Sequence, residues 1–94
     1  MIKQSMTTLR DILEKAEDNT EYVITFRSGN KLGLKDFESV DESIYEKDDL
    51  FVGWVVSQVK CDKRFFTPGT GFQFALNDVT EVALKESGKL LYQE

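Results

Sequence analysis

The stretch Leu50-Phe-Val-Gly-Trp-Val-Val-Ser-Gln-Val-Lys60 constrains this chain more than any other. β-Branched and aromatic residues fill many of its positions, which marks a strand. Period-two alternation puts Leu50, Val52, Trp54 and Val56 on one face and Phe51, Val55 and Val59 on the other. An antiparallel strand that is apolar on both faces is either central between two layers or sharply bent. With 94 residues in all, the chain is too small for a thick sandwich, so the bent strand is the better reading. Gly53 marks the bend.

The rest of the chain supplies partners for that strand. Leu9, Ile12, Leu13 and Ala16 follow i, i+3, i+4, i+7 spacing and share one helical face. Thr8 is the expected N-cap, with Asp11 in the reciprocal position, and Asp18-Asn19 the expected end. A helix of about ten residues does not persist alone in water, so it must dock on the sheet. Residues 1–6 have no period and read as a frayed end. Glu21 to Arg27 reads as a strand with Tyr22, Ile24 and Phe26 on one face. Ser28-Gly29-Asn30 is its turn. Lys31 to Phe37 is the return strand, with Leu32 and Leu34 inward and Gly33 at a bend or bulge. After Leu50–Lys60 come a Pro68-Gly69 loop and a strand alternating Phe72, Phe74 and Leu76. Asn77-Asp78 is a turn, Val79 to Leu84 a further strand, and Leu90-Leu91-Tyr92 a short sixth strand or a docked tail. No repeat, low-complexity tract or linker divides residues 1–94, which read as one domain.

The expected fold class is α+β, mainly β: an N-terminal helix, then a bent antiparallel sheet of five or six strands, closed into a small barrel. Tyr22 to Phe37 resembles the first hairpin of the Sm-like family, and Phe72 to Val82 resembles its fourth strand, short turn and fifth strand. The likeness spans roughly residues 8–85 and is shared with SH3-like and other small barrels. It implies a helix-capped, five-stranded bent barrel. Members of that family form rings and bind RNA through loops carrying an Asp/Asn pair and basic residues. Lys35-Asp36-Phe37 only loosely echoes the first such loop, so the topology carries over and the RNA-binding residues do not.

Composition narrows the function. There is no His and a single Cys, Cys61, on a chain of net charge −5. A Ser-His-Asp or Cys-His unit cannot be assembled, nor a Cys/His zinc site within one chain. An internal disulfide is excluded. No phosphate-loop or dinucleotide motif is present. The expectation is therefore a non-enzymatic protein without catalytic residues, metal or cofactor. No apolar run approaches the ~18 residues of a membrane span, and no signal-like N-terminus appears, so a cytoplasmic protein is expected. The acidic balance disfavours nucleic acid, which basic residues attract, and favours a protein partner. A homo-oligomer is compatible with the pattern.

Two segments stand out as candidate binding sites. The first is an acidic face, Glu38, Asp41, Glu42, Glu46, Asp48 and Asp49, interrupted by one base, Lys47. It suits docking on a basic protein, as in a small inhibitor, immunity-type or accessory protein, with charge complementarity speeding association. An exposed strand edge would serve the same role. The spacing fails the EF-hand pattern, and the plainer alternative is a solvated loop that guards an edge. The second is a basic and aromatic loop, Lys60, Lys63, Arg64, Phe65 and Phe66. Cations beside stacking faces suit single-stranded nucleic acid or a nucleotide phosphate. The plainer alternative buries both Phe rings in the barrel end. Trp54 reads either as an interface anchor or, with its apolar neighbours, as core, and core is the expectation. Cys61 lies between two lysines with Asp62 opposing them, and no partner base exists to activate it.

Overall fold

A computed structural model of the protein describes residues 6–40, 50–60 and 67–94. Helix α1 (Met6–Glu14) precedes strands β1 (Tyr22–Phe26), β2 (Lys31–Val40), β3 (Leu50–Lys60), β4 (Gly71–Ala75), β5 (Val79–Leu84) and β6 (Leu90–Gln93). A one-turn 3₁₀ helix, Leu76–Asp78, joins β4 to β5. All strand pairings are antiparallel, and the class is α+β, mainly β, as the alternation predicts.

The helix starts earlier than its capping residues suggest. Met6 is already helical, so Thr8 lies inside α1 instead of capping it. Leu9 and Leu13 are fully buried and Ile12 and Ala16 pack at the margin of the core, as their spacing requires. The helix docks against β2, β6 and the 3₁₀ turn. After it, Asn19 adopts a left-handed φ of 65°, a conformation that Asn tolerates. Its backbone N–H donates to Asp36 Oδ1 at 2.7 Å, and Asp36 is the other left-handed non-glycine residue, at φ 54°.

That second residue is part of what curls the sheet. The β2–β3 ladder shifts register between Lys31 and Leu32, between Gly33 and Leu34, and between Lys35 and Glu38. Each such irregularity bends the pair and increases its twist. Gly53 lies beneath the Phe37 ring, and a Cβ there would fall 2.9 Å from Phe37 Cε1. Gly53 is thus required here because an aromatic ring from the neighbouring strand occupies the space of a side chain, and the irregularity at this level lies on β2, between Lys35 and Glu38. Gly33 has a similar cause. Ser57 Oγ donates to Glu21 Oε2 at 2.6 Å across the strand, and both atoms sit where a Cβ on Gly33 would be.

The closed Sm-like barrel that the sequence suggests is not formed. The strand order is β4-β3-β2-β1-β5-β6, with β4 and β6 as the two edges. The cause is β6. It runs along β5, pairing Tyr92 with Val82 and Gln93 with Glu81, and so fills the edge of β5 that β4 would need for closure. The curl nevertheless brings β4 over β1, although two strands intervene in the sheet. Phe26 meets Phe72 and Phe74 edge-to-face, each at 5.4 Å between centroids. Phe37 bridges onward to Tyr22 and Phe74. Edge-to-face rings at these separations add to the energy of simple burial. The core is thus a rolled sheet closed by side chains where backbone pairing is missing.

Candidate functional site

Which face of β3 points inward is decided by the curl. Phe51, Gly53 and Val55 face the core, opposite Leu34 on β2 and Phe74 on β4. The alternate set, Leu50, Val52, Trp54 and Val56, therefore faces out. Phe51 is 0% exposed and Trp54, three residues later, is 45% exposed. The expectation that Trp54 belongs to the core is overturned. The signal was present in the strand itself: both faces were apolar, and a rolled sheet with one layer can bury only one of them.

Around Trp54 the outer face has a graded surface. Lys35 of β2 and Gly71 of β4 are its cross-strand partners. Val52 lies between Glu38 and Gln73, and Leu50 between Val40 and Ala75. A methyl placed on Gly71 would come 3.6 Å from both Trp54 Cζ3 and Val52 Cγ1. The missing side chain at Gly71 thus leaves the indole and Val52 uncovered on their β4 side. The outer face thus has an apolar centre with Lys35 and Glu38 beside it on β2. Burying the remaining exposed part of one Trp, roughly 100 Å², is worth about 2–3 kcal/mol.

The two charged segments fare differently. Of the acidic set, Glu38 is exposed on β2 opposite Val52. Asp41, Glu42, Glu46, Asp48 and Asp49 lie outside the described residues. Of the basic loop, Lys60 is exposed at the end of β3, and Lys63, Arg64, Phe65 and Phe66 lie outside the described residues, as does Cys61. Glu38 and Lys60 belong to opposite ends of the β2–β3 ladder, so the structure does not bring the two candidate sites together. Lys60 does gain a neighbour that sequence order hides: it pairs directly with Lys31.

Two shallow grooves mark the described surface. One, about 260 Å³, runs beside the inner side of β4 and is lined by Phe26, Phe72, Phe74, Gln73, Ser28 and Asp78. The other, about 320 Å³, lies between the segment after α1 and the β5–β6 turn, against Glu21, Lys85 and Glu86. Among the described residues, no group of three or more metal-binding side chains converges, and no helix is long and apolar enough to cross a membrane.

One titrating group is clearly displaced within the core. Burial pushes the Tyr92 hydroxyl pKa above its ordinary value, the Glu94 carboxylate pushes it the same way, and Arg27 pulls it back. Arg27 clasps the β6 end of the sheet: Nη1 donates to Glu94 Oε1 at 2.7 Å and Nη2 donates to the Asn77 carbonyl at 2.8 Å. These contacts tie the end of β6 to Arg27 and the turn before β5.

Comparison with protein-family models, with curated proteins and with solved structures finds no match for this chain.

Proposed function

We propose that this chain is a non-enzymatic protein-interaction module that docks through the outer face of β3, with Trp54 as its anchor. The observation that supports this best is the exposure of the chain's single Trp at the centre of four consecutive outward apolar positions. Tryptophan is strongly enriched among residues that dominate binding energy, and it does so at the centre of a patch that excludes water. The net charge of −5 favours a partner whose surface around the receiving pocket is basic. The acidic residues from Glu38 to Asp49 then steer the encounter, while Trp54 supplies the affinity. A small inhibitor, immunity-type or accessory protein works in this way. The resemblance to the Sm-like family supports the same reading only as far as an N-terminal helix ahead of a bent antiparallel sheet.

The test is capture of partners from native lysate by the tagged chain, with and without nuclease, using wild type and Trp54→Ser side by side. Protein partners that survive nuclease and disappear with Trp54→Ser support the reading. Partners that bind both forms equally move the docking surface elsewhere, and charge reversal at Asp48 and Asp49 then asks whether the acidic segment carries it.

A second reading has one observation in its favour. Lys31 and Lys60 are cross-strand partners at the end of the β2–β3 ladder, so two basic residues share the point from which the chain leads on to Lys63 and Arg64. Like charges in register are unfavourable by themselves, and an anionic ligand such as a nucleotide or single-stranded nucleic acid would relieve them. Binding of this kind weakens with salt and is lost in a Lys60/Lys63/Arg64 triple-Ala variant. Docking through Trp54 survives that variant.

A further inference from the structure

The edge strand β4 is Gly71-Phe72-Gln73-Phe74-Ala75. It carries no charge, no Pro and no bulge in its register with β3. Exposed edges are normally blunted by such features, because their unpaired backbone groups template pairing with another chain. The phase of the pairing shows which groups are available. Val55 N–H donates to the Thr70 carbonyl at 2.9 Å, and Gly69 N–H donates to the Val55 carbonyl at 2.7 Å. With φ at 94° on Gly69, this is a glycine bulge that closes the β3–β4 connection. Val55 thus turns both backbone groups toward β4. Along an antiparallel pair this alternates, so Phe72 and Phe74 bond to β3 while Gly71, Gln73 and Ala75 direct their backbone groups to the open edge. Among the described residues no strand occupies that edge.

We infer that a second copy of this chain occupies it, pairing β4 with β4 antiparallel about Gln73. The strand reads almost the same in both directions. Centred on Gln73, such a pair sets Phe72 against Phe74 of the second copy on the inner side. On the outer side it sets Gly71 against Ala75, and Gln73 against Gln73. The cross-strand pairs are aromatic with aromatic and small with small, and the three residues whose backbone groups face outward are the three that meet in hydrogen-bonded positions. A twofold axis makes this contact closed and self-complementary. Charge permits the same place: each copy carries −5, and Gly71–Ala75 puts no like charges in register; β6 is equally uncharged, so the near-palindrome and the unbroken register of β4 are what set it apart. The result is a twelve-stranded sheet with the two Trp54 patches flanking the seam. A pair of five-residue strands buries less than a standard interface, so the dimer is reversible and concentration-dependent.

This inference goes beyond the docking of a different protein on Trp54 and does not require it. The experiment is sedimentation velocity on the full chain over a wide concentration range, at low and high salt. A monomer–dimer equilibrium that tightens with salt is expected, because salt screens the repulsion between two acidic copies. Gln73→Lys places two ammonium groups opposite each other at the axis and is expected to weaken the dimer at least tenfold. Its circular dichroism should be unchanged, since Gln73 is exposed. In a Cys61→Ser background, Gln73→Cys should cross-link on mild oxidation, because Cα separations in a paired β-ladder fall in the disulfide range. Gln93→Cys on the other edge should not. A monomer at every concentration, oligomers larger than two, cross-linking at Gln93 instead of Gln73, or no cross-linking at either position overturns the inference. If Gln73→Lys is monomeric yet still captures a protein partner, the two readings stand separately.

Discussion

The two faces of β3 start from nearly the same composition and end in opposite environments. Phe51 and Val55 form part of the centre of the core, while Val52, Trp54 and Val56 line the surface. The larger residue, Trp54, is the more exposed. Hydrophobicity therefore does not choose the inner face here. Curvature does: the register shifts in β2–β3 and the Phe37 ring over Gly53 roll the sheet toward Phe51, and α1 covers the concave side. The apolar surface left on the convex side is the feature on which the proposed docking rests.

The sharpest way to break this comparison is to remove the inner residue. Phe51→Ala should destabilise the protein by about 3–5 kcal/mol, the cost of emptying a large buried aromatic site. Urea or thermal unfolding measures it. A small loss would mean that the concave face is not the core. Gly53→Ala tests the curl itself. The added methyl meets the Phe37 ring at 2.9 Å and should cost about 1–3 kcal/mol through overpacking. A companion Phe37→Leu substitution should relieve part of that clash, and equal losses with and without it would show that the ring does not set the bend.

Trp54→Ser sharpens the contrast from the other side. Stability should fall by about 1 kcal/mol or less, because almost half of the indole is already in water and exposed substitutions change stability little. Partner affinity should fall tenfold or more if Trp54 is the anchor. Since the chain has one Trp, acrylamide quenching of wild-type emission reads the same surface directly. Strong quenching in the free protein, reduced on partner binding, is the expected result.

The smallest effect concerns Tyr92 and the β6 edge. Its hydroxyl pKa is raised in the folded state, chiefly by burial. The neutral form is thus favoured on folding, so this contribution is complete below the unfolded value of about 10 and is lost as pH rises beyond it. Unfolding measured between pH 8 and 11 should show a decline above pH 10 that Tyr92→Phe reduces. Identical profiles for the two proteins would remove Tyr92 from the account.

Much of the fold was legible in the residue pattern, and the failures share one cause. Strand patterning located the first five strands and left Leu90–Tyr92 open between a strand and a docked tail, and helical spacing identified Leu9 and Leu13 as the docked face, because both signals are local consequences of backbone geometry. Gly33 was legible as an irregularity and Gly53 as a required glycine, though not the atoms that require them, Glu21 and Ser57 for one and Phe37 for the other. The start of α1 was misplaced because Thr8 and Asp11 match a capping pattern, whereas the helix already includes Met6. The inward set on β3 was ambiguous because both sets satisfy the same local rule. The edge chemistry of β4 was visible as composition, but not as an edge.

The amino-acid sequence alone determined the class and nearly all of the element order, since these follow from local periodicity. Only the tertiary structure decided that the sheet stays open, that Trp54 faces outward and that Gly71–Ala75 is an edge strand, paired on one side only. Each of those depends on contacts between segments far apart in the chain: β6 taking the free edge of β5, Phe37 lying over Gly53, and Phe26 meeting Phe72 and Phe74 across the gap. Alternation fixes two faces for every strand, and long-range packing selects which of them water sees.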